Sequence, residues 1–263
     1  MKSENPKRWP YLRRISLGLS AVFFYLLYYV FPITIELGQH LKYHITKTTL
    51  LKLLLKIYPQ YEGEIRVGAS VPLSFGEGLG VRRSLRFENI SPSYWCQMCG
   101  AVMQEGFIFN DTIAGNIAVG EENIEYNRLL DSCETANILS FIESLPNGFY
   151  TELGSEGVGL SQGQKQRLLI ARAVYKNRDY LFFDEATNWL DANNEKEIVE
   201  NLDRFFKGKT VIVVAHRLST VKNADKIVVV YKGEIVEEGT HEELTLGHGR
   251  YYELVKNQLE LGV

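Results

Sequence analysis

Two acids stand together at Asp184-Glu185, directly after the apolar run YLFF at 180–183. At the end of a buried strand, one carboxylate can sit beside a bound Mg²⁺ ion and the next can orient an attacking water. A pair of acids that starts a turn or caps a helix would look the same in isolation. A second run, VIVVA at 211–215, is followed by His216, whose imidazole at a strand end can contact a phosphate. An incidental strand-end histidine is the plainer alternative. Ser161, with Gln164 three residues on, has the spacing of a capping box. It opens a periodic apolar stretch through Leu168, Leu169, Ala171 and Val174. Gly163 in that first turn permits close backbone approach, and a helix N-terminus presents free N–H groups to an anion. Ordinary capping accounts for Ser161 and Gln164, but not for Gly163 or for nearby Gly157 and Gly159.

These residues need elements to hold them. Apolar strand-like runs alternate with amphipathic helical stretches along the chain, an α/β pattern. Strands as uniformly apolar as YLFF, VIVVA and the IVVV of 227–230 belong in a sheet covered on both faces. Ligands of such sheets bind at the carboxyl ends of the strands, where Asp184, Glu185 and His216 fall. The chain is long enough for one large domain or two modest ones, at 263 residues. Its 45% hydrophobic and 23% charged content excludes disorder, a collagen repeat and a disulfide scaffold. Three cysteines, Cys96, Cys99 and Cys133, fit a reducing compartment. Cys96-x-x-Cys99 lacks a second Cys/His pair, so it reads as two neighbours by chance rather than as a metal site.

The combination is more specific than its parts. LSQGQ at 160–164, FFDEAT at 182–187, Leu190-Asp191 and AHR at 215–217 occur in this order. The set resembles the nucleotide-binding domain of an ATP-binding cassette (ABC) transporter. LSQGQ is similar to the family signature LSGGQ with Gln162 in place of one glycine, and YLFFDE resembles the Walker B strand. Asn188-Trp189-Leu190-Asp191 resembles the D-loop, His216 the switch histidine, and Gln104 the Q-loop glutamine. The wording from Glu143 to Ala173 is especially like peptide and bacteriocin exporters. The resemblance covers about residues 47–261.

The resemblance implies a P-loop NTPase cassette, with a RecA-like core sheet and a helical subdomain. It implies ATP and Mg²⁺ as cofactors, and a second cassette and a transmembrane transporter domain as partners. Two cassettes would close head-to-tail on ATP. Lys47, Thr48, Ser161, Gly163, Gln164 and Asp191 would serve nucleotide binding or the dimer. Thr48, Asp184 and Gln104 would serve Mg²⁺, and Glu185, His216 and Gln104 catalysis. The expected function is ATP hydrolysis driving export of a peptide-like substrate, with the cassette on the cytoplasmic side of a bacterial inner membrane. The alternative is a remodelled, non-hydrolytic fragment that only pairs with a partner cassette. A nucleic-acid role is disfavoured, because the acidic body carries no basic stripe.

The sequence departs from the family near its start. A phosphate loop reads G-x-x-x-x-G-K-[ST], whereas the residues here are LKYHITKT, with Leu41 and Thr46 in the glycine positions. β-Branched Ile45 and Thr46 enter the left-handed conformations of a phosphate cradle only with strain. The residues before them form an atypical head, 1–46. Residues 1–58 hold nine bases and two acids, so +7, and the remaining 20 bases and 30 acids give the body −10. A basic head on an acidic body often marks a membrane or polyanion contact. Ile15 to Ile35 carries no charge and is long enough for one membrane helix. The alternative is a buried helix or strand pair of a soluble core. Residues 47–263 then form the cassette, with a glycine-rich insertion at about 68–87.

Overall fold

A computed structural model describes residues 22–28, 35–37, 47–58, 65–69, 83–154, 159–186, 192–215, 218–231 and 234–260. The strands are β1 Val22–Tyr28, β2 Ile35–Leu37, β3 Ile65–Ala69, β4 Arg83–Arg86, β5 Cys99–Val102, β6 Tyr180–Asp184, β7 Thr210–Ala215, β8 Lys226–Tyr231 and β9 Glu234–Gly239. The helices are α1 Lys47–Leu54, α2 Pro92–Met98, α3 Ile113–Ile117, α4 Tyr126–Thr135, α5 Leu139–Glu143, α6 Gln162–Lys176, α7 Ala192–Phe205, α8 Leu218–Val221, α9 His241–Leu246 and α10 Arg250–Glu260.

Six strands form one sheet in the order β5-β6-β7-β1-β8-β9, and β2-β3-β4 form a second. β5, β6 and β7 are parallel, with Val102 opposite Phe183 and Asp184 opposite Val214. Because side chains alternate across a strand, the uniformly apolar strands feed two cores. Tyr180, Phe182, Ile212 and Val214 pack with Leu50, Leu51, Leu54 and Trp95 on one face. Leu181, Phe183, Val211 and Val213 pack with α6 and α7 residues such as Leu168, Ile170, Ile198 and Leu202 on the other. This doubly covered sheet is the α/β architecture that the apolar runs predict.

The single membrane helix over 15–35 is not what forms. Its middle, Val22–Tyr28, is strand β1, antiparallel to both β7 and β8 with Tyr25 opposite Val213 and Ile227. The rest of 15–35, apart from Ile35 in β2, lies outside the described residues. A strand with a neighbour on each side can be as apolar in sequence as a membrane span, so hydropathy alone does not separate them. Among the described residues, no helix is long and apolar enough to cross a membrane. At the ends of the glycine-rich stretch 68–87, β3 and β4 pair antiparallel with Gly68 opposite Ser84, while residues 70–82 lie outside the described set.

One ion cluster clamps α4 to α6. Glu121 accepts from Arg128 at 3.1 Å, from Lys176 at 3.2 Å and from the Tyr175 hydroxyl at 3.0 Å. Burial pushes the Glu121 carboxyl up, but the hydrogen bonds from Tyr175 and Lys176 and the Lys176 and Arg128 charges outweigh it, holding the group below its usual value. A depressed carboxylate stabilises the fold above its unfolded pKa, and that share is lost as pH falls through the folded value. Glu121→Gln is therefore expected to lower the urea midpoint near neutral pH. The gap to the unchanged protein narrows as pH falls below the ordinary glutamate range and through the lowered folded value. A gap that stays constant across the titration would show that the charge contributes nothing.

Candidate functional site

The carboxyl edge of the large sheet gathers most of the predicted residues. Asp184 ends β6 and is 1% exposed. Alternation puts it on the face shared by Tyr180 and Phe182, the face that α1 covers. Helix α1 is oriented by its far end: Trp95 Nε1 donates to the Leu54 carbonyl at 2.7 Å, and the Trp95 ring packs 4.5 Å from that of Tyr180. Leu54 thus lies at the amino end of β6, and α1 runs back to begin, at Lys47 and half-buried Thr48, toward the carboxyl end. A helix start there brings positive dipole and unpaired N–H groups to the edge where Asp184 sits.

Glu185 follows with φ +51. Its N–H donates to the Val214 carbonyl at 2.9 Å, so the neighbouring strand pins the turn. A non-glycine residue in the left-handed region costs about 1–2 kcal/mol, and such strain concentrates at functional sites. The half-buried side chain lines a small cavity with Asp203, Thr220 and Ala215. Burial raises the Asp203 carboxyl, as does the Glu200 charge, against a hydrogen bond from Asn223 that lowers it. Gln104 is exposed two residues beyond Val102, the β5 residue opposite Phe183, and so lies at the same edge. His216, next after β7, and Asp191, just before α7, are outside the described residues.

Ser161, Gly163 and Gln164 are elsewhere. Ser161 Oγ accepts from Gln164 N at 3.2 Å and Gln164 Oε1 accepts from Ser161 N at 2.9 Å, so the predicted capping box is formed. Leu169, mid-way along α6, touches the chain just past β5: a Cβ on Gly106 would stand 2.1 Å from Leu169 Cδ1. The start of α6 is seven residues earlier. It therefore lies about 10 Å further out at 1.5 Å per residue, projecting beyond the sheet edge rather than joining Asp184.

A polar knot missed from sequence sets this projection. Asn116 is fully buried, and its Nδ2 donates to the carbonyls of Phe109, Asp111 and Thr112 at 3.0, 3.2 and 3.1 Å. Its Oδ1 accepts from Phe109 N at 2.8 Å and from Arg172 at 3.2 Å. Arg172, on α6, also donates to the carbonyls of Asn116 at 2.7 Å and Phe107 at 2.9 Å. The segment that follows Gln104 is thereby tied to the helix that Ser161 caps. The available signal was a polar residue inside each of two apolar stretches, TIAGNIA and LLIARAV.

The ABC transporter family model matches residues 46–188, more than half of the chain. The chain belongs to the ABC transporter family. Its fold is the ABC cassette, as the alignment with a bacterial Atm1-family ABC exporter with ATP bound also has it: TM-score 0.70 and 33% identity over 81% of this chain and 35% of that one. An ATP-dependent lipid A-core flippase of Syntrophus aciditrophicus (strain SB) is 41% identical over 214 residues, covering 81% of this chain and 33% of the flippase. Multidrug resistance protein pgp-1 of Caenorhabditis elegans is 40% identical over 212 residues, covering 81% of this chain and 15% of that protein. The chain thus spans a third or less of these relatives' length. By name they are a lipid A-core flippase and a multidrug resistance protein rather than peptide exporters, so the peptide likeness of the wording gains nothing from them.

Two features of this ABC cassette bear on ligands. Thr48, Asp184 and Gln104 offer hydroxyl, carboxylate and amide oxygens, hard donors that suit Mg²⁺ bound partly through substrate phosphates. No group of three or more His, Cys, Asp or Glu side chains gathers among the described residues, so an all-protein metal cage is not what they build. The phosphate cradle fits less well. A P-loop is a strand running straight into the loop and then a helix. Here β1 ends at Tyr28 opposite Thr210, the amino end of β7, so residues 29–46 separate it from Lys47 at the other edge.

Proposed function

We propose that this chain is the cassette of an ATP-driven exporter, working as one of a pair with a membrane-spanning partner domain. The carrying observation is the division of its site: Asp184, Glu185, Gln104 and the start of α1 share the sheet edge, while the Ser161 end of α6 projects beyond it. One chain then offers each half of a site to a different nucleotide, which favours head-to-tail pairing. In that arrangement Lys47 and Thr48 would hold phosphates, and Ser161 and Gly163 would meet the nucleotide of the opposite cassette. Thr48, Asp184 and Gln104 would hold Mg²⁺, which when bound neutralises phosphate charge. Glu185 would orient the attacking water and take its proton, and His216 would hold the terminal phosphate. Asp191 would link the two sites. Residues 1–46 would be the atypical head, and 47–263 the cassette with its insertion at 68–87. The relatives' names favour a lipid or other amphipathic cargo, and a place at the cytoplasmic face of a membrane.

A second reading is favoured by the direction of β1. A strand that ends at the wrong edge, with Leu41 and Thr46 in the two glycine positions before Lys47, leaves Lys47 without the usual cradle. The chain would then lend its α6 end to a complete partner and hydrolyse nothing at its own phosphate loop. A fluorescent ATP analogue with Mg²⁺ separates the readings. Binding to the full chain alone at up to millimolar nucleotide supports a working cradle. Binding that appears only when a complete cassette is added, and is weakened by Ser161→Arg, supports the lending role. Absence of any effect of this chain in both mixtures defeats both.

A further inference from the structure

We propose that Cys96 and Cys99 are a reversible dithiol, a modification site that reacts with low-molecular-weight disulfides. The pair closes helix α2. The Cys99 N–H donates to the Cys96 carbonyl at the helix C-cap. A turn of this i→i+3 kind keeps its end Cα atoms within about 7 Å, and disulfides span about 4.4–6.8 Å between Cα atoms. No movement of elements is therefore needed to bridge them.

The two thiols differ in ways that order the reaction. Cys96 is exposed, whereas Cys99 is half-buried and packs against the α1-side core. Burial pushes the Cys99 thiol well above its ordinary range, and the neighbouring Cys96 adds to the shift. The exposed Cys96 thiolate attacks one sulfur of the small disulfide and displaces one small thiolate. Cys99, losing its proton to solvent, then attacks the Cys96 sulfur and displaces the second. The pair gives up two electrons and two protons, and one small disulfide becomes two small thiols. Cys133 takes no part, because it is fully buried on α4.

The site directly follows Trp95, whose ring packs on Phe87 and Tyr180 and whose Nε1 holds α1. A bridge from Cys96 to Cys99 would lock the junction of α2 and β5, the strand that leads to Gln104. It spans residues whose main chains are already hydrogen-bonded to each other, so the fold persists in both redox states.

The test uses the full folded chain and glutathione disulfide, followed by alkylation and tryptic mapping. Residues 87–128 contain no Lys or Arg before Arg128, so one peptide carries both cysteines while Cys133 falls on the next. Oxidation is expected to remove both alkylation sites from the 87–128 peptide, and dithiothreitol to restore them. Cys133 should stay unmodified until denaturant is added. Cys99→Ser should stall with glutathione on Cys96, and Cys96→Ser should slow the modification at least about tenfold, as expected when access controls the rate. The proposal is overturned if both cysteines remain alkylatable, if glutathione persists on Cys96 of the unchanged chain without ring closure, or if Cys133 reacts as fast as the pair.

Discussion

Glu185→Gln is expected to bind nucleotide as the unchanged cassette does and to lose its hydrolysis. The loss should be about 10²–10⁴-fold in turnover, the usual contribution of a positioned proton acceptor, or about 3–5 kcal/mol of barrier. The geometry makes the substitution clean. The main chain at 185 is held by its own N–H, which donates to the Val214 carbonyl. Glutamine keeps the volume and the left-handed turn but cannot accept the water's proton. Steady-state hydrolysis, measured beside equilibrium binding of the analogue, reads the two effects apart. Unchanged turnover with Glu185→Gln would refute the assigned role, and loss of binding in step with turnover would make Glu185 a structural residue. If the unchanged chain binds nucleotide only in a mixed pair, both measurements move to that pair.

Asn116→Ala should have the largest effect on stability. The side chain is fully buried and joins Phe109, Asp111, Thr112 and Arg172. Alanine takes the Asn116 side chain from the Phe109 N–H, the Phe109 carbonyl and part of the Arg172 guanidinium, while the Asp111 and Thr112 carbonyls keep the N–H groups of Leu153 and of residue 116 itself. Each unsatisfied buried group costs about 1–3 kcal/mol, and water entering the site recovers some of this. A net loss of about 3–5 kcal/mol is expected, by analogy with other broken buried networks. That is a large share of the roughly 5–15 kcal/mol stability of a domain. Urea unfolding should show a lower midpoint with little change in slope. Arg172→Ala should couple strongly, so the double variant loses less than the sum of the singles. A loss for Asn116→Ala below about 1 kcal/mol would show that the knot is not what ties the Gln104 segment to α6.

How far the sequence spoke depended on whether the signal was local. The Ser161–Gln164 box closes as its spacing predicts, because both partners lie within one helical turn. YLFF and VIVVA become strands buried on both faces, with Asp184 and Glu185 at the carboxyl edge. The misreading of 15–35 came from a property that is not local. Whether VFFYLLY sits in lipid or between two strands depends on β7 and β8, some 180 or more residues later. The Asn116–Arg172 knot was illegible for the same reason, since its halves are 56 residues apart. The left-handed turn at Glu185 had no signal in residue type, because glutamate has no preference for that region.

Strand β1 also dictates a schedule. It fills the slot between β7 and β8, yet its last residue is made 203 residues before the end of β8 (231 − 28). At about 5–20 residues per second of synthesis, that is a wait of about 10–40 s. For most of it the ribosome displays an apolar segment whose native neighbours are still unmade, until β7 emerges and offers a first edge. The sheet therefore closes around a strand made long before both of its neighbours, a long-range pairing of the slow kind.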